Sequence, residues 1–489
     1  MKRTLLLAIL AILLFPIHAA AQVITGTVTD EQKQPIAYAS VQIGPAYGVV
    51  SNTEGVFVID TKDKKADDKV IFSCIGFESL TIPLSDLKAG NYVLKEQVNV
   101  LDEVFITNKK YTPTELLAKV MENASKNYAS EPVKQTFFLR RTNENKMLDG
   151  NFELVKSSLE NKATIKNLNK ELEEALKKGK GQRSEDYSES YGFLYTENNQ
   201  SKLAVEKAIV LKNREKDISG DQLNSKVMAI IGKHLEPGAT YKVKSGIIPI
   251  DDDWKVDSPK KDAQPESKTS YLRGIVGNLS SFNKFYANED LDFLTEYKRY
   301  NYTLEGYATY NDETIYIIDF KPARGSAHYF GKIYVNAFDF AVVKLEYNLV
   351  DGENEHKVNL KLVLGVKMIQ DRTKVSATFS KNEAGHYAVN FVKRQEGTYA
   401  YFDRSLKFTK NKVSKDEEDK MLKIDMMVEI DQITTSELFI IEKAHITADV
   451  FKAFTEKEKY DVNYIAKYDP SIWKNYNVLA PVEAIKNYN

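Results

Sequence analysis

The residues that could do chemistry in this chain are few, and their spacing forms no familiar constellation. An open zinc site takes three protein ligands, and a zinc carboxypeptidase would need a histidine and a glutamate three positions apart plus a distant histidine. His234, His328, His356, His386 and His445 have no glutamate three residues on, and no pair forms His-Glu-x-x-His. The serine-hydrolase elbow Gly-x-Ser-x-Gly is absent, as are a Walker loop and Gly-x-Gly-x-x-Gly. Ser-x-x-Lys occurs at Ser258 to Lys261, Ser281 to Lys284 and Ser471 to Lys474, without the other penicillin-binding signatures. Asp251, Asp252 and Asp253, with Asp257 following, could offer oxygens to calcium; they lack the spacing and glycine of an EF-hand and read as a solvated loop. No catalytic, cofactor-binding or metal-ligating residue is assigned, so a protein without enzymatic activity or cofactor is the expectation.

Charge and composition narrow the classes further. With 68 basic and 69 acidic residues in 489, there is no electrostatic footprint for nucleic acid or an anionic membrane surface. Lys2 and Arg3, the apolar run Leu5 to Ile17, and Ala19 to Ala21 before Gln22 read as a secretory signal peptide over 1–21. No later stretch is apolar enough for a transmembrane helix. The single cysteine, Cys74, lies inside the strand-like run Val70 to Ile75; it reads as a small buried residue, makes no internal disulfide, and lies too far from the leader to be acylated there. The 28 tyrosines and 23 phenylalanines suit strand packing first and ligand surfaces second.

From Gln22 the pattern is that of short strands between turns. Val23 to Thr29 and Ala37 to Ile43 alternate, the polar turn Ser51 to Gly55 leads into Val56 to Ile59, and Lys69 to Ile75, Glu78 to Ile82, Asn91 to Leu94 and Glu103 to Ile106 follow. About seven strands in so short a span imply a sandwich. The order Gly26-x-Val28-x-Asp30, Pro35-Ile36-Ala37, Ser51-Asn52-Thr53-Glu54-Gly55-x-Phe57, Gly76-Phe77 and Leu101-Asp102-Glu103-Val104 resembles the carboxypeptidase regulatory-like domain. The resemblance implies a transthyretin-like fold for 22–107. In that family the module is an accessory; it also precedes the plug of many TonB-dependent receptors and heads many secreted proteins. These residues read as scaffold: glycines at turns, Asp30 and Asn52 as turn hydrogen bonders, Phe57 in the core.

Beyond the sandwich, Thr112-Pro113-Thr114-Glu115 is a capping box opening a helix over 113–129. Val133 to Arg141 reads as a strand, Leu148-Asp149-Gly150 as a turn, Asn151 to Lys178 as helix, and Gly179 to Ser190 as a polar loop. A helix carrying Leu223, Val227, Ile230 and Ile231 and an exposed loop from Ile247 to Ser270 complete a mainly helical segment, 108–285. From 286 the period falls to two. Tyr302 to Gly306, Ile315 to Phe320, Gly331 to Val335, Ala341 to Tyr347, Val358 to Leu364, Val375 to Phe379, Tyr387 to Phe391, Leu422 to Ile430 and Leu438 to Ile441 predict an antiparallel sheet domain, 286–489, with one apolar face and packed with the 113–129 helix. The expected class is therefore multi-domain: an all-β transthyretin-like sandwich, then an α+β region with a large curved antiparallel sheet and covering helices. The sheet could pack on helices, curl into a half-barrel weakly resembling periplasmic lipoprotein carriers, or close as a membrane barrel.

Three functions follow in order: a non-catalytic cell-envelope binding or assembly protein; a carrier of a lipid or other apolar ligand; an unrecognised hydrolase. The expected place is the periplasm or outer membrane of a Gram-negative bacterium. The expected partner is an envelope protein or apolar ligand, and nucleic acid is not among the expected partners.

Overall fold

The computed structural model describes residues 23–44, 47–97, 111–128, 132–198, 200–213, 228–255, 267–382, 385–412, 414, 416–474 and 476–488. The expected leader, the expected strand at Glu103 to Ile106, Leu223, Val227, Asp257, Ser258 and Lys261 lie outside them. The described chain is mostly β and divides into two compact units.

The first unit joins the described residues of 1–98 to 310–312 and 469–482. Its strands are β1 (Val23–Thr29), β2 (Ser40–Ile43), β3 (Tyr47–Val50), β4 (Val56–Asp60), β5 (Lys69–Ser73), β6 (Leu80–Pro83) and β7 (Gly90–Val93). They form two sheets, β4-β1-β7 and β3-β2-β5-β6. The core between them centres on Phe72, stacked on Tyr92 at 4.3 Å and edge-on to Phe57 at 5.7 Å. Gly26 is required there, because a Cβ would lie 2.6 Å from the Phe57 ring. Asn52 does double duty. Its Oδ1 accepts from the amides of Glu54 and Val56, both at 2.9 Å, and its amide donates to the carbonyls of Ala480 and Pro481. Asn477 accepts from the Asp60 amide at 3.0 Å and donates to the Tyr47 hydroxyl at 2.6 Å. This corrects the expected division: the segment 469–482 belongs with the sandwich, not with the sheet domain, because these two asparagines and buried Val478, Leu479 and Ala480 complete the first unit. Cys74 lies just past β5 and is half-buried rather than in the core.

The second unit is built on one large sheet. Its strands are β8 (Val133–Ser157), β9 (Arg183–Glu197), β10 (Gln200–Leu211), β11 (Thr240–Ser245), β12 (Ile248–Lys255), β13 (Ser267–Lys268), β14 (Tyr300–Tyr310), β15 (Glu313–Pro322), β16 (Tyr329–Asn336), β17 (Val342–Leu349), β18 (His356–Leu360), β19 (Val366–Lys381), β20 (Tyr387–Lys410), β21 (Met421–His445), β22 (Lys459–Tyr460) and β23 (Asn463–Ile465). The order is β14-β15-β16-β17-β19-β20-β21-β8-β9-β10-β23, with β18 on β19, β11 on β20 and β12 on β11; β13 and β22 pair separately. Strands β8, β20 and β21 run 25, 24 and 25 residues, about 80 Å at 3.3 Å per residue.

Cross-strand register gives the sheet two unlike faces. On one, Ile318, Ile333, Leu345, Ala377, Val392, Leu438 and Leu139 stand side by side across seven strands, all fully buried. One residue away, on the other face, runs Asp319, Lys332, Glu346, Ser376, Lys393, Glu437, Arg140 and Glu189. Signs alternate along much of this row, the arrangement that favours opposite charges directly across strands.

Helices bury the apolar face. Helix α1 (Pro113–Asn127) has the capping box, with Thr112 and Glu115 exchanging hydrogen bonds. Its C-terminal end is tied to the sheet by Asn127 donating to the Asp339 carbonyl and Tyr128 donating to that of Val342, at 2.8 and 2.6 Å. Helix α2 (Lys162–Gly179) packs on β8 over a second core of Phe152, Leu154, Leu168, Leu172, Tyr241, Phe408 and Leu422. Helix α3 (Thr269–Ser280) packs on β9, β10 and β20; α4 (Lys361–Leu364) is a single turn between β18 and β19, and α5 (Ala448–Ala453) and α6 (Glu483–Lys486) are short.

Four local expectations are corrected. Leu148-Asp149-Gly150 does not turn: β8 runs through it, with Asp149 and Gly150 paired to Glu429 and Val428 of β21. Residues 151–157 continue that strand with Phe152 and Leu154 inward; the helix starts at Lys162, where Asn161 accepts from the amides of Ala163 and Thr164. The polar stretch 179–190 is largely β9, and its polar residues meet the charged row of β8. Ile247 to Ser270 holds β12, all but Trp254 exposed, an edge strand whose hydrogen bonds come from β11. Far from being mainly helical, 108–285 thus supplies five strands to the same sheet as 286–489.

Candidate functional site

The histidines singled out above do not converge. His234 Nδ1 lies 2.9 Å from Glu160 and His328 Nδ1 3.0 Å from Glu353, while His356, His386 and His445 are on exposed strand ends and a turn. Ser281 donates to the Asn278 carbonyl and Ser471 lies in a single turn capped by Asp469. Asp252 faces Lys242 at 3.4 Å and Asp253 accepts from Asn411 at 3.0 Å. Among the described residues no group of three or more His, Cys, Asp or Glu could hold a metal ion. Glu355 gathers three side-chain donors, accepting from Arg394, Gln370 and Tyr329 at 3.1, 2.6 and 3.0 Å, and these partners knit β16, β19 and β20 together.

What stands apart is a pair of apolar turns. Along one edge of β20 the neighbour changes: β19 pairs as far as Phe402, and β11 takes over from Leu406. At the change, α4 from one direction and the β11–β12 hairpin from the other come together, and Arg404 braces both. Its guanidinium donates to the Leu364 carbonyl (2.7 Å), to the Ser245 hydroxyl (2.8 Å) and to the Ser245 carbonyl. The backbone completes the join, Gly246 N donating to Ser405 O at 3.0 Å and Asp403 N to Gly365 O at 2.7 Å. Gly365 has φ +63°, and a Cβ there would lie 1.8 Å from the Asp403 carbonyl oxygen, so only glycine fits.

The brace holds out side chains that folding normally hides. Ile247 is 91% exposed, Leu362 102% and Val363 81%. Ile248, Ile250, Val358, Leu360 and Met368 extend the apolar surface along β12, β18 and β19. Burying a Val, Leu or Ile side chain is worth about 1.5–3 kcal/mol, so leaving these three in water on two joined turns forgoes that stabilisation. Around the base, Lys361 Nζ lies 3.8 Å from the Tyr401 ring and Lys367 Nζ 5.2 Å from that of Tyr399. Neither Ile247 nor Leu362 was singled out in the sequence, where one reads as loop and the other as strand. The available signal was consecutive apolar residues beside a glycine, Gly246-Ile247-Ile248-Pro249-Ile250 and Leu362-Val363-Leu364-Gly365, where neither period two nor 3.6 holds.

Residues 24–106 match the family described as CarboxypepD_reg-like domain, as the motifs of the sandwich imply. No curated protein matches the chain. Among solved structures, similarity is found to a LolA superfamily protein from Nitrosomonas europaea (9% identity, 70% of this chain and 98% of that one, TM-score 0.20). It is also found to a putative outer membrane lipoprotein-sorting protein domain from Vibrio parahaemolyticus (8%, 68% and 92%, 0.20) and a putative membrane-associated protein of unknown function from Bacteroides fragilis (10%, 85% and 98%, 0.13). TM-scores this low do not extend to a shared fold.

Proposed function

We propose that this is an exported, non-catalytic envelope-binding protein that attaches to its target through the two apolar turns braced by Arg404. The observation that carries the reading is the outward placement of Ile247, Leu362 and Val363 on backbone that is held in place rather than loose. A folded domain gains nothing from three aliphatic side chains in water, so their burial is left to a second body. The sheet's own apolar row is fully buried, with Tyr128 at the end of α1 packed on Phe379 of β19 and α3 packed on β9, β10 and β20, which favours an outward-facing site over a ligand enclosed against the sheet. The leader at 1–21 and the accessory sandwich support an envelope location.

The test is co-sedimentation with isolated Gram-negative envelopes. The mature chain pellets with them, and a variant with Ile247→Asp, Leu362→Asp and Val363→Asp stays in the supernatant with an unchanged circular dichroism spectrum. Equal sedimentation of both proteins would overturn the proposal.

A further inference from the structure

We infer that the surface these turns meet is a lipid bilayer with anionic headgroups, the apex entering the hydrocarbon edge and a ring of lysines resting on the phosphates; this rests on the envelope-binding reading above. Three observations point there rather than to a protein groove.

The first is the chemistry of the apex. Ile247, Leu362 and Val363 are aliphatic, with no hydrogen-bonding atom in their side chains, and hydrocarbon asks for no directional contact. The second is the backbone. Polar main-chain groups carried into lipid must be satisfied from within. Here the α4 turn closes with Gly365 N donating to Lys361 O at 3.0 Å, and Gly246 N is taken by Ser405 O. The carbonyls of Leu364 and Ser245 are capped by Arg404. Arg404 thus satisfies one carbonyl in each of the two turns that carry the aliphatic side chains.

The third is charge. Lys361 and Lys367 stand at the base with their ammonium groups over tyrosine rings, an arrangement suited to the headgroup level, where aromatic side chains and long cations collect. Lys244 and Lys407 are exposed and directly opposite each other across β11 and β20. Like charges so placed repel, and a phosphate between them would relieve the repulsion. On the same level Lys423 stands opposite Lys407, and the carboxylates are Asp403, bonded to the Tyr401 hydroxyl at 3.1 Å, Asp425, held by the Ser405 hydroxyl, and Glu429, held by the Tyr399 hydroxyl. Asp251 pairs with Val243, one residue back from Lys244, and Asp252 is taken by Lys242 at 3.4 Å. Three of these carboxylates are thus engaged by hydroxyl groups, whereas Lys361 and Lys367, the lysines beside the α4 turn, lie over rings and carry the headgroup contact.

The experiment is flotation of the purified mature protein with vesicles of phosphatidylethanolamine and phosphatidylglycerol, and with vesicles of phosphatidylcholine alone. The wild type floats with the first and about tenfold less with the second. The aspartate variant at Ile247, Leu362 and Val363 falls about tenfold on the anionic vesicles. Lys361→Glu combined with Lys367→Glu removes the preference for phosphatidylglycerol while circular dichroism is unchanged. If the wild type binds no vesicle yet still sediments with envelopes through its apex, the partner is a protein: the lipid inference falls and the envelope-binding reading stands. Vesicle binding that ignores the apex substitutions also overturns the inference. Binding to neither vesicles nor envelopes ends both.

Discussion

Arg404 Nε donates to the Ser245 hydroxyl at 2.8 Å while the same guanidinium holds the Ser245 and Leu364 carbonyls, so one side chain fixes two turns that approach β20 from opposite directions. Hydrogen bonds from a charged donor contribute about 1.5–3 kcal/mol each when made and leave a desolvated acceptor when lost. Arg404→Ala should therefore loosen the turns locally without unfolding the sheet. Hydrogen exchange is expected to quicken at 245–248 and 361–365 while the amides of β8 and β21 keep their protection; unchanged exchange in both turns would contradict the brace.

Gly365→Ala attacks the same join through the backbone. A methyl group would meet the Asp403 carbonyl from a left-handed conformation, and strain of this kind costs of order 1–3 kcal/mol. Denaturant unfolding should show the loss, together with the exchange pattern of Arg404→Ala.

Within the charged row, Arg140 and Glu189 are both almost fully buried and paired at 2.7 Å. Arg140→Met alone removes the cation paired with a buried carboxylate and should cost about 3–5 kcal/mol, whereas Arg140→Met with Glu189→Met should recover most of it. Equal losses in the single and double variants, measured by urea unfolding, would show that packing rather than charge dominates there.

Lys443 gives a pH signature. It stands opposite buried Gln135 on the inward face, donates to the Ala388 carbonyl at 3.3 Å, and burial lowers its ammonium from 10.5 to about 7. Above pH 10.5 it is neutral folded or unfolded and carries no cost; as pH falls toward 7 the unfolded chain takes up the proton and the folded one does not. The destabilisation is complete below about 7. The stability difference between Lys443→Met and the wild type should thus shrink as pH rises from 7 to 10.5, read from urea midpoints; a constant difference would contradict the assignment.

In the first unit, Asn52→Ala removes the turn acceptor and both donations to 480 and 481. A fall in thermal midpoint is expected, with faster exchange spreading to 477–482, since that segment is held by Asn52 and Asn477.

How much was legible follows the physics of each element. β14 to β17 were readable because one face is apolar and the other charged, which prints period two on the chain. The sandwich was readable for the same reason and because its turns need glycine. β8 was read only as far as Arg141; its continuation to Ser157 and β9 were obscured, since their polar residues show no apolar period and the cross-strand partner that makes Glu189 tolerable in a strand is 49 positions away. The true start of α2 was legible in Asn161, a good cap, but apolar residues at mixed spacing just before it favoured an earlier start. The apex was hidden because exposure of Leu362 arises from where two turns meet, a property of the fold.

The most direct test of the apex as the attachment point places a polarity-sensitive fluorophore on Leu362→Cys, in a chain where Cys74→Ser removes the native thiol, with a second protein labelled at Glu289→Cys for comparison, an exposed site of the same unit near the opposite end of β20. On adding envelopes, the account predicts a blue shift and protection from aqueous quencher at 362 and neither at 289. A probe at 362 that stays in water while the protein is bound would contradict it.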